Sequence, residues 1–231
     1  MKNKKTLGFL LLVTATFLSV GCTTTPPSIQ SGPDAEVSFD GLNVVDNSKA
    51  DKAWARPDFD LSPYSKIMMV GADIEYAPAK KQNTSMNRSG SGPYFIDDEA
   101  RARFETLVKE TFMEEIVKIK SFEIVNEPGP DVLMIRGGLL DVVSYVPQDS
   151  MNMAGRGSIY LSRIGEATLV LELRDSETGA IIARSIDRRA AEPIGNTMTD
   201  SNRVTNAAEV RRLVRHWAVR LRDSLDGFMQ Q

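Results

Sequence analysis

The 231-residue sequence has one cysteine, one histidine, no excess of basic charge and no apolar run longer than 14 residues. One Cys closes no intramolecular disulfide, and one His with one Cys falls short of the usual zinc shell. With 28 Lys plus Arg against 31 Asp plus Glu, the chain has no surplus for neutralising a phosphate backbone, which argues against a nucleic-acid partner. A G-x-S-x-G elbow and a G-x-x-x-x-G-K-[ST] loop are both missing. Gly155-Arg156-Gly157-Ser158-Ile159-Tyr160 starts like a dinucleotide fingerprint but lacks its third glycine. No cofactor is expected. What is present is 42% apolar and 26% charged residues, enough for one folded domain and unlike a disordered chain.

The first residues are the most informative. Met1 to Lys5 carry three lysines, and Leu7 to Val20 form the 14-residue apolar run, the n-region and h-region of a secretory signal. At about 1.5 Å per residue a helix over that run reaches about 21 Å, short of a hydrocarbon core of about 30 Å. A permanent span is therefore not expected. Leu18-Ser19-Val20-Gly21-Cys22 then sets small residues before the only Cys.

That segment resembles the lipobox of a bacterial lipoprotein, although Ser19 is less typical than Leu three residues before the cut. The resemblance implies cleavage after Gly21 and lipidation of Cys22. Thr23 in place of Asp after the Cys implies the outer membrane, with the body facing the periplasm. Ordinary secretory cleavage would instead leave Cys22 a free thiol. Two or more acyl chains anchor stably at about 0.8 kcal/mol per buried methylene.

The expected organisation is a signal at 1–21, a lipidated tether at 22–36 and a single domain at 37–231. Without the three lysines of the signal, 25 bases face 31 acids, a net charge of −6. Thr23 to Pro33 is rich in Thr, Ser and Pro and reads as a linker, reaching at most ~35–40 Å at ~3.3–3.6 Å per residue.

Within the domain the patterns predict an α+β fold. Two long helices, 98–119 and 206–226, pack on one face of a mixed, mostly antiparallel sheet of about five strands, with one parallel pair. Strand signals fall at Ile67–Ile74, Phe122–Val125, Val132–Val143, around Leu169–Leu173 and at Ala180–Ile186. Gly137-Gly138 suggests a bulge. Asp175-Ser176-Glu177-Thr178-Gly179 is a hairpin turn signal. Residues 79–93 and 147–158 read as polar exposed loops.

Phe104, Leu107, Val108, Phe112 and Ile116 give the first helix its apolar face. The acidic run Asp97-Asp98-Glu99 is better explained by capping than by metal binding. In the last helix Ala207, Val210, Val214, Trp217, Ala218, Leu221 and Leu225 form a stripe about 100° wide. Asn206 is the expected N-cap with Glu209 as its partner, and Gly227 the expected end.

Between Arg203 and Arg222 stand six arginines and one acid, Glu209. Arg211, Arg215 and Arg222 fall within about 40° of one another at about 100° per residue, so they could form an anion-binding edge. The plainer reading, which weighs more, is a solvated face with local pairing such as Arg222 to Asp226. His216 lies on the far side and reads as a surface residue.

Ser38-Phe39-Asp40-Gly41-Leu42, Arg56-Pro57-Asp58-Phe59-Asp60-Leu61-Ser62-Pro63-Tyr64-Ser65-Lys66-Ile67-Met68, Leu173 to Gly179, and Trp217-Ala218-Val219-Arg220-Leu221 together resemble the bacterial lipoproteins catalogued as domain of unknown function 3313. The resemblance runs from about residue 36 to 228 and implies presumed lipoproteins without an assigned activity. The expected function is therefore a membrane-anchored, non-catalytic binding or assembly domain with an envelope protein or glycan partner. An envelope hydrolase using a carboxylate pair and an accessory subunit of an envelope transport system are the alternatives.

Overall fold

The computed structural model describes residues 25–79, 93–147 and 159–229. Cys22, the signal and nearly all of both polar loops lie outside them. Among the described residues are ten strands: β1 (Ser28–Ile29), β2 (Asn43–Asp46), β3 (Lys52–Ala55), β4 (Lys66–Tyr76), β5 (Glu123–Val125), β6 (Val132–Ser144), β7 (Tyr160–Leu161), β8 (Gly165–Asp175), β9 (Ile181–Ala191) and β10 (Thr199–Asp200). Helix α1 (Asp98–Ile116) follows β4, and α2 (Arg203–Phe228) closes the chain.

Eight strands form one sheet in the order β1-β2-β3-β9-β8-β6-β4-β5, and β7 and β10 form a separate pair. The fold class is the expected α+β with a mixed, mostly antiparallel sheet, but the sheet is wider than the five strands expected. The additional strands β1, β2 and β3 hold only two to four residues each. Segments that short carry no period-2 signal and are ordered by pairing onto the β9 edge. Ser28 and Ile29, in the stretch read as linker, thus pair with Asp46 and Val45.

The β-α-β start makes two parallel pairs rather than one. Chain leaving α1 returns as the edge strand β5 on one side of β4, and then crosses to place β6 on the other. The register slips between Val70 and Asp73 of β4, opposite Arg136 and Gly138. The irregularity expected at Gly137-Gly138 is therefore an extra residue in the facing strand. A second slip lies in β6 between Leu140 and Val143, where Asp141 takes a positive φ of 51°. The β8–β9 hairpin closes as expected. Asp175 Oδ1 accepts from the Thr178 backbone N–H at 2.8 Å, and Gly179 supplies the left-handed φ of 70°.

Both helices lie over one face. Ile67, Leu133, Ile135, Leu139, Leu169, Leu171 and Ile182 of the sheet meet Val108 and Ile116 of α1 and Val214, Trp217 and Leu225 of α2 in a single buried cluster. Each such aliphatic side chain contributes about 1.5–3 kcal/mol when fully buried. Outward-facing positions on β8 and β9 carry an ion-pair lattice instead, for example Arg184 with Glu172 at 3.0 Å and Arg188 with Glu166 at 2.6 Å.

Asp97 caps α1 by accepting from Ala100 N–H at 2.8 Å, so the acidic run is used as the capping reading proposed. The helix ends at Ile116, and the next residues close in tight turns (Lys118 N–H to Glu115 O, Ile119 N–H to Ile116 O). Helix α2 starts one turn earlier than expected. Asn202, not Asn206, is the N-cap, accepting from Val204 and Thr205 N–H at 3.0 Å while Thr205 Oγ1 accepts from Asn202 N–H. Asn206 is buried inside the helix against Ser201, and Glu209 pairs with Arg212. Arg203, at the first helical position, is exposed. Gly227 does not end the helix. It continues to Phe228, whose ring meets Phe59 edge-on at 5.2 Å.

The pairings set Tyr76, Ser144, Gly165 and Ala191 at one end of the sheet, called the upper end, and Lys66, Val132, Asp175 and Ile181 at the lower. Helix α1 leads down to β5 beside Lys66. Asp226 near the end of α2 accepts from the backbone N–H of Ser121 at 2.9 Å and of Lys120 at 3.0 Å. The two helices therefore run side by side, both starting at the upper end.

Candidate functional site

At the upper end the two helices and the sheet do not close completely. Small residues face one another there: Ala100 on α1, Ala207 on α2, and Gly165, Ala167 and Ala191 on the sheet. The space they leave is a groove of about 210 Å³, walled by Phe104 and Leu107 of α1, Val210, Leu213, Val214 and Trp217 of α2, and Leu139, Val142 and Ile164 below. The β6 irregularity at Asp141 helps to shape it by turning Val142 into the buried side. Gly165 is required by close approach, since a Cβ there would lie 2.5 Å from the Val143 carbonyl oxygen. The lining is mostly apolar, and its polar members are Arg103, Ser144, Glu166, Arg203 and the buried Asn206.

A second cavity of about 220 Å³ adjoins it, sharing Ile96, Val142 and Val143. Arg101 lines the second cavity. Its guanidinium stacks over Tyr76 at 4.5 Å and Phe95 at 5.7 Å, and its Nε donates to Ile96 O at 3.0 Å. The Tyr76 hydroxyl donates to Glu105 at 3.1 Å. Burial first, and then that carboxylate, hold the phenol strongly protonated.

Glu166 is the one acidic residue in the lining, and its carboxylate turns to Arg188 in the outward-facing lattice. Burial alone would raise its pKa, but the hydrogen bond and charge of Arg188, with Arg163 behind, outweigh it and the net shift is downward. It is therefore held ionised and has no proton to give near neutrality. What the groove offers is a largely apolar enclosure.

The arginines of the last helix separate in the fold. Arg215 Nε donates to Glu115 Oε1 at 3.2 Å, and Arg222 Nη1 donates to Glu115 Oε2 at 3.0 Å. Arg222 also pairs with Asp223 at 2.7 Å rather than with Asp226. Arg211 stays exposed. The anion that this stripe meets inside the protein is thus the buried Glu115 of α1. Lys118 Nζ completes the cluster at 2.9 Å. Its hydrogen bond is the chief cause of the lowered Glu115 pKa, with Arg215 and Arg222 adding to it against burial.

A second buried carboxylate, Asp187 of β9, accepts from Trp217 Nε1 at 2.8 Å and Arg189 Nε at 2.6 Å. His216 is exposed, 3.4 Å from Arg220, and its pKa is lowered by desolvation and by Arg189 and Arg220. Among the described residues no group of His, Cys, Asp and Glu is arranged to hold a metal, and no helix is long and apolar enough to cross a membrane. Sequence reasoning missed the groove and both buried carboxylates. The four alanines were the available signal for the groove, but nothing in the linear order brings them together.

The chain belongs to the family described as protein of unknown function (DUF3313), whose model matches residues 36–221. No curated protein matches it. Several solved structures are similar at low identity. Protein XCC0632 from Xanthomonas campestris is 13% identical, with a TM-score of 0.38 over 77% of this chain and 91% of its own. PelC from Paraburkholderia phytofirmans, solved as a dodecamer, is 11% identical, with a TM-score of 0.32 over 69% and 88%. A candidate lipoprotein from Caulobacter crescentus is 11% identical, with a TM-score of 0.36 over 74% and 94%.

Proposed function

We propose that this protein is a lipid-anchored envelope binding module whose groove between α1, α2 and the upper end of the sheet holds an apolar, chain-like ligand. In this reading residues 1–21 are removed, Cys22 carries the anchor at the outer membrane, and residues 37–231 form one periplasm-facing domain. The observation that carries the ligand class is the lining: mostly aliphatic and aromatic, with three charged residues, Arg103, Glu166 and Arg203, among it. A volume of about 210 Å³ lies below the ~300–1,000 Å³ of ordinary small-molecule sites. It therefore suits one acyl-like chain better than a rigid multi-ring compound. Each methylene buried there contributes about 0.8 kcal/mol.

Trp217 in the groove wall provides the test. In a Trp54→Phe background, dodecanoate brominated on its chain should quench Trp217 saturably, and Ala207→Leu, which fills the groove, should weaken that quenching at least tenfold. Absence of quenching, or robust turnover of glycan or ester substrates by the protein, would overturn the reading. The anchor is tested separately: Cys22→Ala should release the protein from the membrane fraction.

A further inference from the structure

We propose that the corner joining β9 to α2 rests on the lipid surface into which Cys22 is anchored, so that the groove opens toward the membrane. This rests on the lipid-anchor reading above. Two independent observations carry it.

The first is the direction of the tether. Strand β1 enters the sheet with Ser28 opposite Asp46 and Ile29 opposite Val45. Through β2, β3 and β9 this registers Ser28 near the level of Ile186, with the chain running downward. Thr25 to Pro27 therefore lie on its upper side. Pro26 and Pro27 keep Thr25 and Pro26 extended, so the chain points upward at Thr25. From Ile186 to the upper end at Ala191 is about 17 Å at about 3.3 Å per residue. Cys22 to Ser28 spans about 20 Å when extended. A tether of that length that keeps the direction set at Thr25 reaches the upper end, whereas reaching the lower end requires it to double back.

The second observation is what the upper end exposes. Between Ala191 and the first turn of α2, Ile194 is 78%, Met198 69% and Val204 79% exposed, and Tyr160, on the strand paired with β10, is 57% exposed. The same corner carries Arg203, which borders the groove. Aliphatic side chains with an adjacent tyrosine and arginine are the chemistry of a membrane interface, where the aromatic ring and the cation sit at the headgroups. Held by the anchor at that distance, they lower their exposure by entering the lipid surface.

The test uses the full, lipidated protein in phosphatidylethanolamine–phosphatidylglycerol vesicles with brominated acyl chains. Lipidation consumes the sulfur of Cys22, the only cysteine, so Met198→Cys creates a single reactive thiol for a bimane label. Phe39→Cys, at a fully exposed turn low on the sheet, gives the reference label. The label at 198 should lose more than half its fluorescence to the brominated chains while the label at 39 loses little. Equal quenching at the two positions overturns the orientation. So does a label at 198 that is shielded from lipid while Met198→Cys yields disulfide-linked dimers, which would assign the corner to a second copy. A reactive Cys22 thiol and failure to float with the vesicles would overturn the anchor reading itself. That outcome is distinct from a floating protein whose 198 label stays in water.

Discussion

Trp217 Nε1 donates a 2.8 Å hydrogen bond to the carboxylate of Asp187, and both residues are buried between α2 and β9. The bond fixes the rotation of the last helix against the sheet and holds the indole that forms part of the groove wall. Asp187→Ala leaves the indole N–H without its acceptor and frees Arg189, at a cost of about 2–3 kcal/mol. Urea unfolding should show this as a lower midpoint with unchanged slope. Combined with Trp217→Phe, the two losses should sum to more than the double variant shows. Strict additivity would mean that the bond contributes nothing.

Glu115 clamps α1 to α2 through Lys118, Arg215 and Arg222. Since Lys118 and Arg215 are about half exposed, screening reduces the contribution, and Glu115→Gln should cost about 1–2 kcal/mol at pH 7. Its folded pKa lies below the ordinary value of 4.5, so the stabilisation is complete above that value. It is lost as pH falls from 4.5 through the folded pKa. Melting the parent and Glu115→Gln across pH 3 to 7 should show their difference shrinking at the acid end. A constant difference would refute the ionic account.

Gly165→Ala places a methyl against the Val143 carbonyl oxygen. The strands β6 and β8 must part at the groove, at a cost of about 1–3 kcal/mol. Thermal melting reads the loss, and an unchanged melting temperature would show that the close approach is readily relieved.

His216 is the only histidine, so its ring protons are assigned in an NMR titration without further labelling. Its midpoint should fall below 6.5 because of desolvation and then the charges of Arg189 and Arg220, which Asp187 only partly offsets. Arg189→Gln should raise the midpoint without restoring it fully. The folded state disfavours the imidazolium, so His216 costs stability as pH falls from 6.5 through its folded pKa. His216→Gln should flatten that part of the stability profile, and a midpoint at or above 6.5 would contradict the account.

Where the information is local, the linear order was enough. The β8–β9 hairpin is legible because Leu169, Leu171 and Leu173 alternate and Asp175 to Gly179 contain their own turn chemistry. The apolar stripe of α2 is legible because burial repeats with the helical period. Tertiary contact decided the rest. Asn202 displaced Asn206 as the cap because Asn206 is needed against Ser201. The short strands β1 to β3 exist only through pairing on β9. Arg215 and Arg222 acquired their partner from a helix about a hundred residues away. The groove is a deficit of side-chain volume, produced when small residues from α1, α2, β8 and β9 meet at one end. Periodicity records which face of an element is apolar; how two such faces meet, and what space they leave, depends on side chains that are neighbours only after folding.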